Sequence, residues 1–177
     1  MTPSSSSLRS TLILLCLIAA FFTSPSTSNP LSDVCAKSKN PGLCLKVLEG
    51  NSHQNPHDLT ETAINLAAAN ASATAAKINM LFNQTNDQKL EEIYNLCTTY
   101  YSAVIRTLGN AEQFLNMGQY QNLNTAANLV GQDAFNCETA FEVTPGIVST
   151  ITKENDDLQF LGSIIIAAAG FLTGSSS

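Results

Sequence analysis

Two cysteines, Cys97 and Cys137, each sit inside a separate run of apolar residues at helical spacing, and this pairing limits the fold more than any other feature. In the first run Leu90, Ile93, Cys97, Tyr100, Val104, Leu108, Ala111 and Leu115 recur at steps of three and four, as one buried helix face requires. Leu123, Ala126, Val130, Ala134, Cys137 and Phe141 repeat the pattern. The short link from Met117 to Gln121 makes the two helices antiparallel neighbours, so a disulfide between them would pin the pair.

Whether sulfurs oxidise depends on compartment, which the start of the chain addresses. Arg9, the uncharged run from Leu12 to Phe22 and the small residues Ser26-Thr27-Ser28 read as a secretory signal peptide over residues 1–28. The run is shorter than the roughly 20 residues of a membrane span. Cleavage removes Cys16 and leaves Cys35, Cys44, Cys97 and Cys137, an even number that predicts two disulfides in an oxidising compartment. Four cysteines allow three connectivities, which sequence alone does not separate. Spacing favours Cys35 with Cys44, across the turn signal Asn40-Pro41-Gly42, and Cys97 with Cys137. Loss of Arg9 leaves seven basic against fourteen acidic residues, a formal net charge of −7. Such a surface argues against nucleic acid or an anionic membrane as partner once the leader is removed.

Residues 29–57 read as a short helical hairpin and a connector, and 58–177 as four long helices. His53 and His57 are four apart, but Pro56 lies between them and no thiol or carboxylate cluster completes a site, so no metal is expected. Asp58-Leu59-Thr60-Glu61 resembles a capping box that opens the first long helix, whose stripe is Ile64, Ala67, Ala71, Ala75, Ile78 and Phe82. Asn70-Ala-Ser72 and Asn83-Gln-Thr85 are glycosylation acceptors, with Asn83 the better placed. Asp87 opens the second helix, which passes Gly109 and stops at Gly118. The third runs from about Gln121 to Phe141, and Pro145-Gly146 follows it. The last starts near Thr152 or Lys153 and is almost wholly apolar from Leu158, with a seam of Leu158, Leu161, Ile165, Ala168 and Leu172. Its polar tail, Thr173 to Ser177, makes it a core helix rather than an anchor. The expected fold is all-α: an up-down four-helix bundle behind an N-terminal hairpin, with two disulfides.

Catalytic chemistry is not in view. The sequence has no Gly-x-Ser-x-Gly, phosphate loop, His-Glu-x-x-His or Cys-x-x-Cys, and its adjacent acids, such as Glu91 and Glu92, diverge on their helix. No catalytic residue and no cofactor is expected. A rigid acidic helical body has the physical profile of a binding module.

Cys35-Ala-Lys-Ser-Lys-Asn-Pro-Gly-Leu-Cys44, Cys97 in a Tyr-rich helix, Gly118-Gln-Tyr120, Cys137-Glu138 and the segment Ser149 to Asn155 together resemble the plant invertase and pectin methylesterase inhibitor family. The resemblance implies the bundle-and-hairpin fold and a secreted, apoplastic inhibitor. Its target would be pectin methylesterase, bound one to one over the substrate cleft, with acid invertase as the alternative. The region from Gly118 to Asn124 lacks the Pro-Lys-Phe element common in invertase inhibitors, whereas Gly146 to Asn155 is similar to segments of proteins so labelled. Asn124 and Glu138 match the family's inhibitory face. Thr98, Thr99, Asn136 and Thr139 depart from it, chiefly where the family carries acids. A secreted bundle that binds neither enzyme is the third reading.

Overall fold

The computed structural model describes residues 29–51 and 54–174, all of whose regular structure is helical. The leader read over residues 1–28, with Arg9 and Cys16, lies outside the described residues, as does His53. Two short helices, α1 (Pro30–Ala36) and α2 (Pro41–Val47), precede four long ones: α3 (Pro56–Gln84), α4 (Gln88–Asn116), α5 (Tyr120–Glu142) and α6 (Thr152–Gly174). The four pack in a ring, α3 on α4, α4 on α5, α5 on α6 and α6 back on α3, while α1 lies against α2, α6 and α3.

An Asn-Pro pair starts each of the first three helices. The side chains of Asn29, Asn40 and Asn55 accept hydrogen bonds from the backbone N–H groups of Leu31, Leu43 and Asp58, each at 3.1 Å. Proline follows at the first helical position, where its missing N–H costs nothing and its φ is already helical. This corrects the expected capping box: Asn55, not Asp58, is the cap of α3. Pro56 begins the helix instead of closing a connector, and His57 belongs to the first turn. Asp58 still favours that end through the helix dipole.

The α4–α5 corner closes as expected. Gly118 has φ +68°, and the N–H of Gln119 reaches back to the Phe114 carbonyl at 2.8 Å, so the last turn of α4 is satisfied by a glycine in the left-handed region. Cys35 is bonded to Cys44 and Cys97 to Cys137, and all four residues are buried. Every expected core residue of α5 is buried, and so is the seam of α6. α6 is long and apolar enough to cross a membrane by length and composition, yet here it packs between α3 and α5 as a core helix.

Four residues of the expected stripes, Ala75, Phe82, Leu90 and Tyr100, are only partly buried, and one of them is replaced in the core by its neighbour. Tyr101, fully buried, takes the place in the α4 stripe read for Tyr100, which lies at the margin of the core with Leu90. Counting from Cys97, a step of three or of four is equally helical. The step of four wins because the Tyr101 hydroxyl has a buried partner across the bundle, Asn155.

Candidate functional site

The end of the bundle that carries the Cys97–Cys137 bond is also where its polar interior lies. Asn155, fully buried in the first turns of α6, accepts from the Tyr101 hydroxyl at 2.7 Å. Its amide donates to Glu138 Oε2 at 2.6 Å and approaches Cys137 Sγ at 3.7 Å. Glu138 also accepts from Ser149 Oγ at 3.0 Å and from Thr152 Oγ1 at 2.6 Å. Lys77 of α3 donates to the Thr150 carbonyl at 2.9 Å and to Glu154 at 2.6 Å. Tyr94 of α4 stands 3.4 Å from the Thr150 hydroxyl. Side chains from α3, α4 and α5 thus fix residues 149–155, where the long α5–α6 connection meets α6. Buried polar groups joined this way specify one geometry, because each left unpaired would carry its full desolvation cost.

These surroundings shift two groups. Burial pushes the Tyr101 hydroxyl well above its ordinary value, against a smaller lowering by the neighbouring Thr74 hydroxyl, so it stays a neutral donor. Partial burial pushes the Glu154 carboxyl up, but the Lys77 hydrogen bond, a backbone hydrogen bond and the charges of Lys77 and Lys153 together outweigh it and leave the group below the usual carboxylate range.

The two residues expected on an inhibitory face, Asn124 and Glu138, are both half-buried on α5. Fourteen residues apart, they lie roughly 21 Å apart along the axis and within about 40° of each other around it. The carbonyl and side-chain oxygens of Asn124 both accept from the Asn128 amide at 2.9 Å. Glu138 spends its carboxylate inside the chain. Of the departures, Thr98 and Thr99 turn their hydroxyls back to the carbonyls of Tyr94 and Asn95. Asn136 accepts from Gln132, and the Thr139 hydroxyl is buried without a partner among the described residues. None presents an acid.

The two sequons differ in access. Asn83 is exposed at the end of α3, its amide donating to the Asn79 carbonyl at 2.8 Å. Asn70 is half-buried, with Oδ1 enclosed and unpartnered among the described residues. Contrary to the expectation that no carboxylate cluster joins His57, its ring gathers with Asp58 and Glu61 within 4.8 Å in the first turns of α3, where acids are favoured by the helix dipole.

Residues 29–167 match the family model described as plant invertase/pectin methylesterase inhibitor. A pectinesterase inhibitor of Actinidia deliciosa is 33% identical over 177 residues, covering 94% of this chain and 96% of its own. A relative from Platanus acerifolia, named for invertase inhibition, is 26% identical over 90% of this chain and 92% of its own. The crystal structure of a mutant form of a pectin methylesterase inhibitor from Arabidopsis superposes with a TM-score of 0.74 at 22% identity, covering 81% of this chain and 97% of that one, a likeness of fold.

Proposed function

The chain belongs to the plant invertase/pectin methylesterase inhibitor family, and we propose that it is a secreted, apoplastic inhibitor of pectin methylesterase, forming a one-to-one complex over the enzyme's substrate cleft. The observation that carries the choice of target is the identity with the Actinidia pectinesterase inhibitor, which extends over nearly the whole of both chains. The absence of a Pro-Lys-Phe element before α5 agrees with it. The helices are held by two disulfides and a buried polar network, so little ordering entropy is spent on docking, which favours tight binding by a rigid surface.

Within that complex Asn124 is a contact residue. Glu138 acts as a positioning residue, because its carboxylate is committed to Ser149, Thr152 and Asn155 and so fixes where the connection after α5 stands. Asn83 is the glycan acceptor, far along the chain from the α5 face.

The test is to titrate the oxidised mature protein against a plant pectin methylesterase and, in parallel, a cell-wall invertase at mildly acidic pH. Loss of esterase activity near one equivalent is the expected result, with Asn124→Ala weakening inhibition by roughly tenfold, the effect of one well-placed polar contact. Invertase inhibition alone moves the protein to the reading that the Platanus relative's name supports. No effect on either enzyme overturns the inhibitor reading.

A further inference from the structure

A groove of about 340 Å³ runs between α5 and α6, beside the turn that joins α1 to α2. Two glycines line it. A Cβ on Gly162 would stand 3.1 Å from the Ala127 carbonyl oxygen, so glycine is what lets the helices approach there. A Cβ on Gly131 would meet nothing within 4 Å, which leaves the space above it open.

On this acidic chain the groove joins carboxamides and an aromatic ring to an unopposed cation, which the carboxylate-free groove between α4 and α5 lacks. Its lining contains no carboxylate, and its one charge is Lys39, whose backbone N–H reaches Ser163 Oγ at 3.4 Å while its ammonium has no partner among the described residues. Asn128, Gln132 and Gln159 bring three carboxamides, of which Gln159 has no hydrogen-bond partner among the described residues. Phe135 stands beside them with 49% of its surface exposed. A carboxamide offers a donor and an acceptor side by side, the complement of two neighbouring hydroxyls. An open aromatic ring covers the C–H face of a pyranose, and a cation selects a sugar that carries a carboxylate. A groove of this size lies at the lower end of small-molecule sites, about 300–1,000 Å³. A peptide strand fits the groove poorly, since helices leave no row of free main-chain groups along their sides to pair with it.

We propose that this groove binds a uronate oligosaccharide, with a carboxylate at Lys39 and a pyranose ring on Phe135. The site needs no enzyme and holds whether or not the protein is an inhibitor. For a wall protein it would supply attachment to the acidic polysaccharide itself.

The experiment is an amide chemical-shift titration of the oxidised mature protein with trigalacturonate, with neutral galactotriose and triglutamate as comparisons. Saturable shifts around Lys39, residues 127–135 and residues 159–166 are expected, with a Kd of about 1 mM or tighter. Galactotriose should bind about fivefold more weakly, and Lys39→Gln should remove that difference. Phe135→Ala, at an exposed position that the fold does not need, should weaken both sugars by about tenfold. Absence of saturation at about 20 mM overturns the proposal. So do shifts centred elsewhere, an acid preference that survives Lys39→Gln, or equal binding of triglutamate, which would mark a general anion site.

Discussion

Glu138 and Asn155 stand opposite one another on α5 and α6, the carboxylate oxygen 2.6 Å from the side-chain amide nitrogen, and Asn155 passes the connection on to Tyr101 of α4. Three helices are joined by two hydrogen bonds in a row beside the Cys97–Cys137 bond. Each partner has a single complementary role: the carboxylate only accepts, the amide donates at one end and accepts at the other, and the phenol donates.

Removing one end of this row leaves the middle unpaired. Tyr101→Phe strands a buried Asn155 oxygen and should cost about 1–3 kcal/mol in urea unfolding. Asn155→Leu should cost a similar amount alone. The double variant should lose less than the sum, by about 1 kcal/mol, since no buried Asn155 oxygen is then left without its donor. Strict additivity would mean that the two side chains do not act as a pair.

The two disulfides close loops of different length, with sequence separations of 9 and 40 residues. In the chain-entropy account the longer loop restricts the unfolded chain more, giving roughly 2.5 kcal/mol for Cys35–Cys44 and about 4 kcal/mol for Cys97–Cys137. Replacing both members of each pair by alanine and comparing denaturation midpoints should reproduce that order. The reverse order would place the main constraint at the hairpin rather than between α4 and α5.

Much of the architecture was legible because it is local. Stripes at steps of three and four gave four helices, and Gly118 gave the corner between α4 and α5. The Asn-Pro pairs were equally local, yet the pair at Asn55-Pro56 reads as a connector unless proline is recognised as a first helical residue, which displaced the cap of α3 by three residues. Tyr101 was not legible. Choosing it over Tyr100 requires Asn155, which lies 54 residues further on. Glu138 shows the same limit: its match to a family pattern says nothing of its three partners, which come from 11 to 17 residues later. The α5–α6 groove is invisible for a related reason. Asn128, Gln132, Phe135 and Gln159 each look like ordinary exposed positions until two helices set them side by side.

Stability should respond to acid through two carboxylates of opposite sign. Glu154 is held below its ordinary value, so its folded form binds fewer protons than the unfolded chain; that stability is present above the unfolded pKa and is lost as pH falls through the folded one. Lys77→Met should weaken this dependence, since the backbone hydrogen bond at Glu154 and the charge of Lys153 also lower the group, and should cost, for a partly exposed pair, no more than about 1 kcal/mol. Asp133, raised by burial on α5, behaves inversely: the folded state holds its proton longer, and stability falls as pH rises through its folded pKa. Asp133→Asn should flatten that part of the curve. Midpoints recorded from pH about 3 to 7 test both.

The glycines facing each other across α5 and α6 should respond to alanine in opposite directions, although each lies inside a helix. Alanine is favoured over glycine there by about 1 kcal/mol from backbone entropy alone. At Gly131 the new methyl meets nothing within 4 Å, so Gly131→Ala should realise most of that gain. At Gly162 it would sit 3.1 Å from the Ala127 carbonyl oxygen, which belongs to the backbone of α5 and yields only if the helices separate. Forcing apart a packed pair costs about 1–3 kcal/mol, more than the entropy returns, so Gly162→Ala should be destabilising. A stabilised Gly162→Ala would mean that α5 and α6 can part without loss. The close approach would then be incidental to the groove rather than what forms it.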